Sequence, residues 1–187
     1  DDKLKASLNK IGCTFFCIHG NHEMRPESLP TYQEMKWNDG IVYVEKDYPN
    51  LLFAKDGEIY NINGKKTLVI GGAYSVDRDY RIRMNPHCPF WWPDEQPSDI
   101  IKKSVESKLE ENNWNVDIVL SHTVPLRYEP TEAFIEGMNQ DMIDKSTEKW
   151  LQTIEDRLTY QKWYAGHYHV EKCTGKLEIL YHNIHEL

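Results

Sequence analysis

Apolar residues along this chain fall mostly into short continuous runs, each closed within a residue or two by Gly, Asn, Asp or Ser. Residues 13–18 (Cys-Thr-Phe-Phe-Cys-Ile) form one such run and predict a strand buried on both faces. Similar runs predict strands over 41–44, 51–54, 58–62 and 67–70, with Asp56-Gly57 and Asn63-Gly64 as hairpin turns. Later runs at 116–120, 163–165 and 177–183 predict three more. Helical spacing appears at Ile100, Ile101, Val105 and Leu109, predicting a helix over 100–112 with Ser98 as its cap. Residues 147–158 predict another helix, and 3–10 read as the end of a helix closed at Gly12. Two stretches keep neither period: 74–97, rich in Arg, Pro and Trp, and the acidic 126–145. Irregular segments of such length in a compact domain are more often lids or binding loops than connectors. Strand–loop–helix alternation beside a meander of short strands predicts an α/β or α+β layered sandwich, in which ligands gather at strand ends.

Composition narrows the function classes. A length of 187 residues fits a single domain able to bury a core. The net charge of -8 argues against duplex nucleic acid as a partner, since such surfaces carry a basic patch. No run approaches the roughly 18 apolar residues of a membrane span. The chain starts at Asp1 rather than Met, so a signal peptide is not judged from it. Cys13, Cys17, Cys88 and Cys173 show no CxxC spacing and read as buried free thiols of a reducing, cytoplasmic compartment.

Candidate chemistry sits where buried runs end. Gly20-Asn21-His22-Glu23 follows the first strand, Ser121-His122-Thr123 follows the run at 116–120, and Gly166-His167-Tyr168-His169 follows 163–165. Imidazole and amide side chains on strand-end loops of one sheet converge as metal donors do. His167 and His169 are two residues apart, facing one side if extended or reaching two neighbouring metals on a tight loop. Gly166 permits the close approach or positive φ that a tight loop needs.

These motifs, in this order and strand context, resemble the calcineurin-like metallophosphoesterases, whose series runs DxH, GDxxD, GNHD/E, a single-His motif and GHxH. The match extends over essentially the whole chain. Gly71-Gly72-Ala73-Tyr74-Ser75-Val76-Asp77, followed by Arg81, is similar to a segment of small bacterial and phage members. The resemblance implies an α/β fold of the αββα kind, two packed mixed β-sheets flanked by helices, as one domain over 1–187. It implies metal-dependent hydrolysis of phosphomonoester or phosphodiester bonds at a dinuclear site with a metal-bridging hydroxide. Asn21, His122 and His167 would hold one metal and His169 would contribute to the other. His22 would be the general acid or electrostatic stabiliser beside the phosphate. Two divalent ions are implied, and neutral imidazoles with an amide suit Mn²⁺, Fe or Zn²⁺ better than Mg²⁺. Glu23 reads either as a hydrogen-bond partner of a His ring or as a plain surface carboxylate.

The chain departs from the family series by having neither DxH nor GDxxD. The expectation is therefore an N-terminally incomplete domain with little phosphatase activity of its own. The alternative is a non-catalytic scaffold or protein-interaction module. Arg78 and Arg81 are candidate contacts for a phosphate-ester substrate. Phe90-Trp91-Trp92-Pro93 is expected to pack its loop onto the domain, with stacking on a nucleobase as the sharper alternative. His19, His87, His182 and His185 lie outside the motifs and read as structural or exposed.

Overall fold

In the computed structural model, which describes residues 2–84 and 91–187, the described residues form ten strands in two sheets. Strands β1 (Phe15–Cys17), β4 (Leu51–Ala54), β3 (Gly40–Glu45) and β2 (Tyr32–Trp37) lie in that order in the first sheet. The second contains, in order, β5 (Ile59–Ile62), β6 (Lys65–Ile70), β7 (Ile118–Ser121), β8 (Lys162–Ala165), β10 (Leu177–Ile179) and β9 (Lys172–Thr174). Both sheets are mixed. β1 runs parallel to β4, and β6, β7, β8 and β10 run parallel to one another. The hairpins β2–β3, β5–β6 and β9–β10 are antiparallel. A parallel pair needs a long crossover. Those after β6 and β7 carry helices α3 (Asp99–Glu111) and α4 (Ser146–Glu155).

The pleat of the six-stranded sheet decides what each face covers. Leu68 and Ile70 of β6 and Val119 of β7 meet Val105 and Leu109 of α3 and Leu151 and Ile154 of α4. Val69 and Leu120, from the intervening positions, join Tyr60 against Val42, Leu52 and Ala54 of the four-stranded sheet. Helix α1 (Asp2–Asn9) contacts β4, and its Lys5 Nζ lies 2.6 Å from the Glu45 carboxylate. The layering is the expected αββα sandwich. Each fully buried Leu, Ile or Val contributes about 1.5–3 kcal/mol by leaving water.

Several elements differ from the sequence pattern for identifiable reasons. β1 is half-buried rather than buried on both faces, because it ends its sheet with β4 as its neighbour. β2 (Tyr-Gln-Glu-Met-Lys-Trp) carries polar residues on both faces and so shows no apolar run, yet pairs with β3 along its full length. Its turn uses Asn38 and Asp39 at φ +45° and +70°, the left-handed geometry that suits a tight hairpin. The irregular stretch 74–97 holds a helix, α2 (Arg78–Met84). In α3, the Ser98 hydroxyl accepts from the Ile101 N–H at 3.3 Å as expected, but Ile100 is 81% exposed and lies off the buried stripe. The closing strand stops at Ile179, and a short partner, β9, precedes it. Cys13, Cys17 and Cys173 are free thiols, but Cys13 and Cys173 are exposed rather than buried, one lying before β1 and the other on the end strand β9. His87, Cys88 and Phe90 lie outside the described residues. Among the described residues, no helix is long and apolar enough to cross a membrane.

Candidate metal centre

Strand ends from both sheets bring the motif residues together. β1 leads through His19 into Gly20-Asn21-His22-Glu23, β7 passes directly into His122, and β8 passes into Gly166-His167-Tyr168-His169. The hydrogen-bond ladder continues past the strands. The His122 N–H donates to the Ile70 carbonyl at 3.0 Å, and the Gly166 N–H donates to the His122 carbonyl at 3.0 Å. The two sheets are tied here by the Gly72 N–H, which donates to the His19 carbonyl at 2.8 Å.

Asn21 is 5% exposed and its amide is held at both ends. Its Oδ1 lies 2.9 Å from His122 Nε2, and its Nδ2 donates to Ser75 Oγ at 2.9 Å. The Ser75 hydroxyl donates back to the Asn21 carbonyl at 3.4 Å, and the Ser75 N–H donates to Glu95 Oε1 at 3.1 Å. The amide oxygen is thereby turned toward the histidines. Rings of His122 and His167 stand 5.1 Å apart, edge to face. Burial first, and neighbouring histidines second, push their pKa values down to about 4 and about 3. Both are therefore neutral at neutral pH, the state in which an imidazole nitrogen donates to a metal.

The loop carrying His167 is tight. His167 and His169 have φ of +71° and +54°, a left-handed conformation costly for residues with a Cβ, and the Tyr168 N–H donates to the Gly166 carbonyl at 2.9 Å. Non-glycine residues held this way cluster at functional sites. His169 is exposed, with its ring stacked on Tyr181 at 4.9 Å. His22 is exposed too, its Nε2 lying 3.5 Å from Arg81 Nη2, and Arg81 is paired with Asp77 at 2.6 Å. Burial, then Arg81, lowers the pKa of His22. Of the two arginines expected to meet substrate, Arg81 lines the cavity around these histidines, whereas the Arg78 guanidinium lies over the Trp91 ring at 4.7 Å.

The donor chemistry fits one ion. Asn21, His122 and His167 offer one amide oxygen and two imidazole nitrogens, and the Asn21–His122 contact shows two of these atoms already aimed at each other. Among the described residues, no three His, Cys, Asp or Glu side chains form a ligand group. A second ion would have His169 alone, so the residues present do not fit it. Glu23 follows neither expected reading: it is half-buried, and its carboxylate accepts the Gly20 N–H at 2.6 Å, closing the loop on itself. His19 is buried, with Nε2 against the Glu23 carbonyl at 3.2 Å and its pKa lowered by burial to about 4. His182 and His185 are exposed, as expected.

Sequence reasoning missed the residues that orient the site. Ser75 lay within the recognised segment 71–77, but nothing in its spacing linked it to Asn21, 54 positions away. A polar chain on the far wall was also missed. Thr123 Oγ1 donates to Glu148 Oε1 at 2.8 Å, and Lys145 Nζ pairs with Glu129 at 2.8 Å. The whole cavity measures about 840 Å³.

Residues 2–171 match the model of the calcineurin-like phosphoesterase family. No curated protein and no solved structure matches the chain.

Proposed function

The chain belongs to the calcineurin-like phosphoesterase family, a family that is generally metal-dependent, and from that premise we propose that it acts on phosphomonoesters or phosphodiesters at the cavity beside Asn21, His122 and His167. The supporting observation is the convergence of these three neutral donors, at the ends of both sheets, next to the His22–Arg81 pair. Asn21, His122 and His167 would hold a divalent ion of the Mn²⁺, Fe or Zn²⁺ kind. Such an ion supplies Lewis-acid polarisation of the phosphoryl oxygens and lowers the pKa of a water toward neutrality.

Other roles fall to the chain's own side chains. Arg81 brings cationic N–H donors that suit phosphoryl oxygens. His22 supplies a proton to the departing alkoxide. Its depressed pKa works against that role in the free protein, and a phosphate dianion alongside would raise it again. Tyr168 and Gly166 keep His167 in its strained conformation. The free thiols agree with a reducing, cytoplasmic setting.

A dinuclear arrangement needs a bridging carboxylate, and no DxH or GDxxD segment occurs in these 187 residues. Turnover by this chain is therefore expected to be slow. The same observation favours a second reading, a scaffold that binds without hydrolysis. Phosphate release from a panel of simple esters separates the two. The enzyme reading expects slow release that requires added Mn²⁺ and falls about a hundredfold in His22→Ala. No release above the background of buffer and metal alone, with His22→Ala indistinguishable from wild type, favours the scaffold.

A further inference from the structure

Beyond its phosphoryl end the cavity runs beneath the irregular segment 126–145, and there its wall changes character. Phe134, Ile135, Met138 and Ile143 line it from that segment, joined by Val170. Ile135 is 62% exposed, apolar surface presented to water rather than spent on the core. Phe134 stacks on Tyr168 at 6.2 Å and 21°, so the apolar wall begins next door to His167.

Charge around the cavity selects against large anions. Among the described lining residues, the Lys and Arg side chains are Arg81, paired with Asp77, and Lys145, paired with Glu129. Glu23, Asp144 and Glu148 also line it. A polynucleotide needs a track of cations to neutralise successive phosphates. A sugar phosphate would leave hydroxyls facing Phe134, Ile135, Met138 and Ile143, which offer them no partner, and could satisfy them at polar lining groups such as Gln140, Asp144 and Glu148. About 840 Å³ is ample for a one- or two-ring group beside a phosphoryl group.

We propose that the site takes a small phosphate ester whose leaving alcohol is apolar, an aryl or bulky alkyl group, with Phe134 and Ile135 as its specificity-determining contacts. The inference rests on the phosphoesterase reading, which places the phosphoryl group at the histidine end.

Calorimetric titration in the presence of Mn²⁺, with phenylphosphonate and 2-naphthylphosphonate, tests it without requiring turnover. The two anions share a head group and differ in apolar area. The naphthyl compound is expected to bind about tenfold more tightly. Ile135→Ser, at an exposed position where the fold should be indifferent, is expected to shrink that preference to about threefold or less. Ile135→Phe is expected to keep or raise it. Equal affinity for the two compounds, no binding of either, or an unchanged preference in Ile135→Ser overturns the proposal. Parallel phosphate-release assays keep the two ideas apart. A naphthyl preference without hydrolysis of any ester would sink the enzyme reading alone, and hydrolysis without the preference would sink this one alone.

Discussion

A single amide sets the orientation of the candidate centre. An asparagine side chain presents an acceptor and a donor on nearly the same shape, so its neighbours decide which faces the histidines. Here Ser75 accepts from Nδ2, and Oδ1 is left to face His122. Ser75→Ala removes that acceptor, and Mn²⁺ affinity is expected to fall about tenfold, the usual effect of losing a partner that orients a ligand. Calorimetric titration giving wild-type affinity would show that the amide needs no such anchor. Glu148, on the far wall of the cavity, tests a different property. It is 4% exposed, and burial raises its pKa from 4.5 to about 7. Its folded value lies above the unfolded one, so the stability it contributes is present below about 4.5 and is lost as pH rises toward about 7. Wild type is therefore expected to lose up to about 3 kcal/mol relative to Glu148→Gln between roughly pH 4.5 and 7.5. Parallel urea curves for the two proteins across that range would refute the burial argument.

At the scale of elements, the site depends on how strand ends are stitched rather than on the strands themselves. Gly72 follows β6 at φ +83°, its N–H bonded to His19, and a Cβ there would run into the Glu95 carbonyl oxygen and crowd Arg25. Gly72→Ala is expected to destabilise the protein by about 2 kcal/mol or more, combining left-handed strain with a backbone clash, and to weaken Mn²⁺ binding through the Glu95–Ser75–Asn21 chain. A urea midpoint equal to wild type would contradict this. The strands that lead into His122 and His167 were legible because their apolar runs are buried in the sheet. The stripe of Val105 and Leu109 likewise announced α3. What stayed hidden had no apolar signature. β2 is polar on both faces, and α2, which carries Arg81, buries none of its residues among those described. The orienting contact of Ser75 with Asn21 spans 54 positions and exists only once the loop after β6 folds back under β1.

For the whole molecule, the two-sheet sandwich brings Asn21, His122 and His167, the proposed metal donors, to the place where both sheets end, on the lining of an acidic and partly apolar cavity. The order of motifs along the sequence was enough to expect the donors. It could not show that Arg78 packs on Trp91 while Arg81 reaches the cavity, because that split depends on the direction in which α2 leaves the loop. Asn21, His122 and His167 are proposed to form, together, a site for a divalent ion. Calorimetric titration of the metal-free chain with Mn²⁺, alongside Asn21→Ala, His122→Ala and His167→Ala, tests it most directly. One strongly bound ion per chain is predicted, with affinity falling at least tenfold in each variant. No binding by the wild-type chain, or binding that all three substitutions leave intact, would contradict it.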